Sequence, residues 1–241
     1  MPPRAEQLRR VGGSELMLPQ LGLGGVGVGD DGISDVDALG TIEAAWAEGI
    51  RYYDTAPFYN RGRSERRMGV GLSNHPRQDF CLNTKVGRYL VPVGEAAAGA
   101  WREPEGDSPL SKGMFAQTAR GHEVGIRYDY SYDAIMRQWE DSLQRLGVSA
   151  VDSLVIHDLD RMFNSQEQCD GYLVELEGGM KALEELRASG KVKAIGAGCN
   201  DFTFGGDEFC RRMTELGRLD FILVAGNYVS APLPRPAALP C

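Results

Sequence analysis

Short apolar runs and helix-type stretches alternate along most of the chain. The runs with strand character are residues 18–25, 50–54, 80–85, 151–157, 191–198 and 219–226. The stretches with helical spacing, caps or stop residues are residues 34–49, 63–72, 131–147, 175–190 and 207–217. Strand-type runs that recur at roughly 30-residue spacing, with helices between them, predict a parallel sheet with right-handed crossovers.

Two segments depart from this rhythm. Residues 88–130 carry Gly, Pro, Glu and Ser with scattered aromatics and no sustained periodicity, which predicts a long inserted loop. The last ten residues, 232–241, hold four of the twelve prolines. Proline neither donates to a central strand nor extends a helix. The sequence therefore predicts a proline-rich irregular tail over residues 229–241, and no seventh or eighth strand.

Composition and charge narrow the class of protein. The 241 residues are 42% hydrophobic and 25% charged, which is typical of a globular protein. The net charge is -8 and no basic cluster is present, so we expect no nucleic-acid partner. No apolar run reaches the ~18 residues of a membrane span, and the start lacks the apolar core of a secretory signal. These features predict a cytoplasmic protein without a membrane partner. Five cysteines without a CxxC pair indicate neither a disulfide framework nor a zinc site.

Three ionisable residues stand at the ends of predicted strands. Asp54, Lys85 and His157 each close a strand-type run, and Tyr59 follows five residues after Asp54. The carboxyl ends of strands are where α/β enzymes hold their reacting groups. A tyrosine with a pKa of ~10 becomes a usable acid or base at neutral pH when a buried cation lowers that pKa by ~1 to 3. We therefore expect Lys85 to tune Tyr59 for proton transfer.

Two other interpretations use parts of the same sequence. Residues 22–27 spell GxGxxG after the first strand, as in a doubly wound dinucleotide-binding sheet. In that fold the last glycine opens the helix, whereas the helix predicted here starts at residue 34, so the spacing argues against it. His157, Asp158 and Asp160 form a candidate metal site, but one histidine with two carboxylates is a weak signature. No metal is predicted.

Four segments together resemble the aldo-keto reductases. The matching motifs are YDTAPFYNRGRSE at 53–65, TKVGR at 84–88, DSLVIHD at 152–158 and KAIGAGCN at 193–200. The resemblance extends in the same order over residues 10–228. The long insertion and the GAGCN motif are most similar to the aldose-dehydrogenase branch, which includes D-threo-aldose (L-fucose) 1-dehydrogenases and pyridoxal 4-dehydrogenases. The resemblance implies an α/β (β/α)₈ TIM barrel, of which residues 1–228 supply about six βα units, C-terminally truncated relative to the family.

The resemblance also implies roles for the strand-end residues. Tyr59 exchanges the proton of the reacting hydroxyl or carbonyl, Lys85 stabilises its phenolate, and Asp54 holds Lys85 in place. His157 orients the substrate oxygen through a hydrogen bond. The implied reaction transfers a hydride between the nicotinamide of NADP or NAD and an aldose, or another aldehyde or alcohol.

Contacts to the nicotinamide are implied at four further residues. Asn200, and Asn227 after the sixth strand, bind the carboxamide, while Gly24 and Gly25 let the backbone approach the ring. The substrate and the choice between NAD and NADP stay open, because the loops that determine them lie beyond the matching residues. The oligomeric state is open too. The proline-rich ending motivates an alternative: a catalytically silent truncated barrel that is a binding module or a non-functional fragment.

Overall fold

The computed structural model of the protein describes residues 7–92, 124–161, 164–200 and 208–225. The strands in these ranges are β1 (Arg9–Arg10), β2 (Met17–Leu18), β3 (Leu23–Gly24), β4 (Tyr52–Asp54), β5 (Cys81–Val86), β6 (Arg88–Pro92), β7 (Val124–Tyr128), β8 (Ser153–His157), β9 (Ala194–Cys199) and β10 (Phe221–Val224). The helices are α1 (Gly25–Gly29), α2 (Asp35–Ala47), α3 (Arg63–Leu72), α4 (Tyr132–Leu146), α5 (Gln166–Ala188) and α6 (Glu208–Glu215).

The main sheet is parallel, as the alternation of strands and helices predicted. Its six strands are ordered β3-β4-β5-β8-β9-β10, so that strands adjacent in the sheet follow one another along the chain. The sheet curls into a half-barrel with helices around it, which is a partial (β/α)₈ barrel. All the carboxyl ends therefore meet at one edge. A doubly wound sheet reverses its strand order at the middle, and this sheet does not, which excludes the GxGxxG interpretation.

The two faces of the sheet carry different chemistry. In β5, Leu82 packs into the apolar cluster beneath the helices, whereas Asn83 and Lys85 lie on the opposite, inner face. Because side chains alternate along a strand, polar residues two positions apart enter the interior of the barrel together. Ser153 and His157 of β8 lie on the same inner face. The interior at the carboxyl edge is therefore polar.

The outer layer forms the hydrophobic core. The helical spacing of apolar residues in 131–147 and 175–190 predicts the side that each helix buries. Helices α4 and α5 contribute these predicted residues to the core: Ile135, Trp139, Leu143, Leu146, Met180, Leu183 and Leu186. In residues 34–49 the same spacing predicts Val36, Leu39, Ile42 and Trp46 on one buried side of the helix. Val36 is wrong, because in the first turn of α2 it is 80% exposed. The apolar stripe of α2 begins instead at Ala38, which is fully buried beside Ile42. No helix in the described ranges is long and apolar enough to cross a bilayer.

Helices α3 and α4 approach closely at Gly69. A Cβ on Gly69 would overlap the carbonyl oxygen of Leu146, and the backbone cannot shift cheaply at the end of a helix. Gly40 in α2 has no neighbour within 4 Å of the same position. Gly69 is therefore required by close packing, whereas Gly40 is not.

We expect Gly69→Ala to lower the free energy of unfolding by about 1–3 kcal/mol, because overpacking displaces α3 from α4. Gly40→Ala is the matched control, and it is expected to raise the free energy of unfolding by about 0.5–1 kcal/mol, since alanine reduces the entropy of the unfolded chain. Urea unfolding followed by circular dichroism measures both changes. Equal effects at the two positions would contradict the close contact.

Two predicted boundaries are wrong. Residues 18–25 do not form one strand: Met17–Leu18 pairs antiparallel with Arg9–Arg10, and only Leu23–Gly24 joins the main sheet. Two-residue strands are too short to show a periodicity of their own. Helix α5 starts at Gln166 rather than residue 175. Its start is a capping box in which Ser165 and Gln168 satisfy each other's backbone N–H groups, a signal that the sequence does contain.

The predicted loop over residues 88–130 contains two strands at its ends. Strands β6 and β7 pair antiparallel from Arg88 with Tyr128 to Pro92 with Val124. A strand pair of this kind has no helical or buried-strand periodicity, so it was missed. Residues 93–123 and the predicted tail over 229–241 lie outside the described residues, and both domain boundaries stay predictions.

Candidate active site

A buried ion pair lies at the carboxyl edge of the sheet. Lys85 is 1% exposed, and its Nζ lies 2.7 Å from both Oδ1 and Oδ2 of Asp54. The same Nζ donates to the carbonyl oxygen of Thr55 at 2.9 Å. Burial lowers the pKa of Lys85, but the Asp54 carboxylate and the Tyr59 phenol outweigh burial and raise it overall. Lys85 is therefore an ammonium at neutral pH.

Two residues that the sequence analysis missed hold the Asp54 carboxylate. The side-chain amide of Asn83 donates to Asp54 Oδ1, and its own Oδ1 accepts from the Ser153 hydroxyl at 2.9 Å. This chain of hydrogen bonds crosses β8, β5 and β4. Polar residues inside otherwise apolar strands were the available signal, and Asn83 stands two positions before Lys85, on the same face.

Tyr59 lies beside both Lys85 and His157. The Lys85 Nζ is 4.7 Å from the centroid of the Tyr59 ring, and the Tyr59 and His157 rings meet edge to face with centroids 5.7 Å apart. Tyr59 is 8% exposed. The structure thus brings together the four residues that the strand ends predicted: Asp54, Tyr59, Lys85 and His157.

A left-handed turn fixes the position of Tyr59. Asn60 and Arg61 have φ angles of 48° and 50°, and Gly62 follows with 79°. Non-glycine residues adopt this region at a cost of about 1–3 kcal/mol, and they persist there only where neighbours hold them. The Asn60 side chain donates to the Gly29 carbonyl at 2.6 Å, and the Gly62 N–H donates to the Pro57 carbonyl at 2.7 Å. The turn is therefore anchored to α1.

Burial decides the pKa of the phenol. It raises the pKa of Tyr59 to about 12, and the attraction of Lys85 acts in the opposite direction without overcoming it. The Asp54 carboxylate raises the pKa further. The expected net lowering of the pKa of Tyr59 is therefore wrong, although the cation that opposes burial is the predicted one.

His157 is a neutral imidazole at neutral pH. Burial lowers its pKa well below the ordinary value, and the cations of Arg88 and Lys85 add to this effect. Its Nε2 lies 3.3 Å from Asp158 Oδ2, while its buried Nδ1 has no hydrogen-bond partner among the described residues. A buried polar atom without a partner calls for an explanation, and a bound ligand that supplies the missing hydrogen bond is one.

The β6–β7 hairpin covers this site. Leu90 of β6 and Ile126 of β7 pack with Phe58 and Tyr59, and Val26 of α1 completes the apolar cluster. The inserted segment therefore contributes to the surroundings of the reacting groups. Its apolar side chains exclude water from one side of the phenol.

The residues predicted to contact nicotinamide have different surroundings. A Cβ on Gly24 would have nothing within 4 Å, so open space lies beside its backbone. Packing within the protein already requires glycine at residue 25, because a Cβ there would lie 2.5 Å from Ser64 Oγ and 2.7 Å from the Asp54 carbonyl oxygen. Asn227 lies outside the described residues.

Asn200 is held by two carboxylates. Its Nδ2 donates to Asp158 Oδ1 and to Asp160 Oδ2, both at 2.9 Å, and its backbone N–H donates to Asp160 Oδ2 at 2.9 Å. These contacts, together with the pairing of Asp158 with Arg88, occupy the carboxylates that the metal interpretation requires. No group of three metal-ligating side chains occurs among the described residues.

A parallel half-barrel with its polar groups at the carboxyl edge defines the class of fold, and sequence comparison gives the family. The sequence profile of the Aldo/keto reductase family matches residues 20–228. The chain belongs to the aldo/keto reductase family, as its four motifs predicted. The pyridoxal 4-dehydrogenase of Microbacterium luteolum is 35% identical over 228 residues, 93% of this chain. The D-threo-aldose 1-dehydrogenase of a Pseudomonas species is 37% identical over 225 residues, 92% of this chain. The chain spans 63% and 60% of the lengths of these two relatives.

Solved structures agree with the fold. An aldo-keto reductase from Bacillus halodurans, in its holo form, aligns with a TM-score of 0.60 at 22% identity, covering 91% of this chain and 57% of its own. The glycerol dehydrogenase from Gluconobacter oxydans aligns with a TM-score of 0.60 at 25% identity, covering 90% and 54%. Both alignments support a partial (β/α)₈ barrel.

Proposed function

We propose that the protein is an NAD(P)-dependent oxidoreductase that transfers a hydride between nicotinamide and an aldose, or another aldehyde or alcohol. The observation that carries the proposal is the buried meeting of Tyr59, Lys85, Asp54 and His157 at the carboxyl edge. No pair of these residues is adjacent in sequence. Their convergence gives one proton-transfer group, one fixed cation and one neutral hydrogen-bonding ring around a common space.

The proton moves through Tyr59. In the oxidation direction, the substrate hydroxyl donates its proton to the Tyr59 phenolate as the carbonyl forms. Lys85 stabilises the phenolate, and Asp54 keeps the ammonium charged and in place. His157 forms a hydrogen bond with the substrate and orients the oxygen that reacts. Bound NAD or NADP supplies the acceptor for the hydride that leaves the substrate carbon.

The residues at the carboxyl edge fit a nicotinamide. The open space beside Gly24 allows a flat ring to approach the backbone. The Asn200 amide nitrogen is already engaged by Asp158 and Asp160, so its Oδ1 is the atom that would accept from the carboxamide. Asn227 is a second proposed contact, on sequence grounds alone.

The substrate class rests on the relatives. The two named above are a pyridoxal 4-dehydrogenase and a D-threo-aldose 1-dehydrogenase. These names support a small carbonyl or lactol substrate, such as a free aldose. A cytoplasmic location and the absence of a nucleic-acid partner stay predictions from composition.

The full chain, mixed with NAD or NADP and a panel of free aldoses and pyridoxal, is expected to show an increase in reduced-nicotinamide absorbance. Isothermal titration with each cofactor measures binding separately from turnover. Turnover with one cofactor would also decide between NAD and NADP. Absence of both turnover and cofactor binding, in protein that melts cooperatively, would support the silent binding module instead.

A further inference from the structure

A second buried ion pair lies beside His157. Arg88, at the start of β6, is 0% exposed, and its Nη1 pairs with Asp158 Oδ2. Its Cζ lies over the ring of Phe58, 3.4 Å from the ring centroid, and 5.1 Å from the centroid of the Tyr128 ring. Removing a charge from water this completely is costly, and an ion pair in such a place is a weak source of stability. Arg88 therefore calls for an explanation other than stability.

A glycine with a positive φ angle directly precedes Arg88. Gly87 has a φ of 101°, and a Cβ there would overlap the ring of Tyr130. The chain turns at this glycine from the last residue of β5 into the hairpin. Only two residues separate Arg88 from Lys85, so the guanidinium at the start of β6 comes directly after the strand that carries the ammonium.

Asp158 links Arg88 to the imidazole. Its Oδ2 pairs with Arg88 and lies 3.3 Å from His157 Nε2, and its Oδ1 accepts from Asn200. Asp158 has a φ of 47°, so its carboxylate is held beside His157 by an unusual backbone conformation. One carboxylate oxygen thus lies between a permanent cation and an imidazole ring.

We propose that Arg88 is a positioning residue for His157: its guanidinium engages the Asp158 carboxylate, so that the Asp158–His157 pair takes up no proton and the ring stays neutral and aimed at the substrate oxygen. Where it concerns the substrate, this inference rests on the proposed function. Where it concerns the proton, it rests on the geometry of the pair alone.

Four titratable or charged side chains lie around the ring in the described part of the chain. The titratable and charged side chains facing His157 are Tyr59 before α3, Lys85 of β5, Arg88 of β6 and Asp158 after β8. Two of these are cations that disfavour a proton on the ring, and one is an anion that favours it. Without Arg88, one cation, Lys85, and one anion, Asp158, remain beside His157, so the opposition to a proton on the ring weakens. Among the described residues, Asp158 then keeps only its hydrogen bond from Asn200. A coupled pair then shares one proton, whichever group carries it.

Histidine-labelled NMR tests the proton directly. The chain has three histidines, and His157→Asn identifies the signal. In the unmodified protein we expect no movement of the His157 C2–H signal between about pH 5 and pH 9. In Arg88→Met the signal is expected to move within this range, with its midpoint raised by about 1–3 pH units, since an opposite charge at this distance has that effect.

Two further variants separate charge from packing. Arg88→Met with Asp158→Asn removes both charges, and its His157 signal is expected to stop moving again. Arg88→Lys restores the cation and is expected to behave as the unmodified protein. If Arg88→Met folds and its His157 C2–H signal does not move with pH over the same range, the proposal is overturned. Movement that persists in the double variant would overturn it as well, because Asp158 would not be its cause.

Kinetics provide the functional arm. If the ring of Arg88→Met has a midpoint about one pH unit above the assay pH, about one tenth of it is neutral, so kcat is expected to fall about tenfold. The loss should recover as the pH rises through that midpoint, with KM for the cofactor unchanged. A loss that is the same at every pH would indicate disrupted packing and contradict the positioning role. The NMR arm requires no turnover, so a failure of the proposed function, seen as an inactive unmodified protein, is distinguishable from a failure of this inference.

Discussion

Tyr59→Phe is expected to slow oxidation of an aldose by about 100- to 10,000-fold, which is the usual contribution of one positioned acid or base. The substitution removes only the hydroxyl, so the ring keeps its edge-to-face contact with His157. Cofactor affinity and the unfolding midpoint are therefore expected to stay the same. Initial rates from nicotinamide absorbance, together with calorimetric titration of the cofactor, measure the two parts.

Tyr53→Phe is the matched control. Tyr53 neighbours Asp54 in β4, but its side chain points into the hydrophobic core, and its hydroxyl donates to the Ile50 carbonyl at 3.0 Å. Losing that bond costs about 1 kcal/mol of stability and leaves the inner face intact. Tyr59→Phe with the turnover of the control would remove Tyr59 from the mechanism.

Lys85→Met is expected to have two large effects. Asp54 loses its buried partner, which lowers the free energy of unfolding by about 3–5 kcal/mol. The phenol loses the cation that lowers its pKa, so the pKa of Tyr59 rises further. The phenolate fraction at a given pH falls tenfold for each pH unit of that rise. Oxidation therefore becomes efficient only at a higher pH than in the unmodified protein.

A double variant, Lys85→Met with Asp54→Asn, tests the two effects separately. It leaves no unpaired charge, and the side-chain oxygen of an asparagine at this position still accepts from Asn83. Stability measured by urea unfolding is expected to recover largely, whereas the pH profile of kcat is expected to stay shifted. A single Lys85→Met variant with the original pH profile would rule out the tuning of Tyr59 by this lysine.

The residues at strand ends were predictable because two local signals coincide there. An apolar run marks a strand, and a polar residue that closes it marks the carboxyl edge, which is how Asp54, Lys85 and His157 were found. Their meeting in space follows from the parallel arrangement, which the helices between the strands already implied. The helix over 131–147 was predicted almost to the residue, because Ser131 and Gly147 bound it on both sides.

Other features depend on contacts that no local pattern records. The hairpin needs two segments more than thirty residues apart to pair, and the ladder of Ser153 and Asn83 needs neighbouring strands in one register. The direction in which the pKa of Tyr59 shifts is set mainly by the burial of its ring, and burial cannot be inferred from the charged residues near it in sequence. Arg88 was visible within the TKVGR motif, but only the positive φ of Gly87 shows that it turns inward.

The hydrogen bonds from Ser153 through Asn83 to Asp54 form only when β8, β5 and β4 are in register, so activity depends on the alignment of these strands. A slip of β5 by a single residue would carry the amide and the ammonium to the helical side together, because side chains alternate with a period of two. Turnover would then vanish while the helical content persisted. Catalytic competence is thus an indicator of whether three neighbouring strands have assembled correctly, and it can report misassembly that a spectrum of secondary structure would not detect.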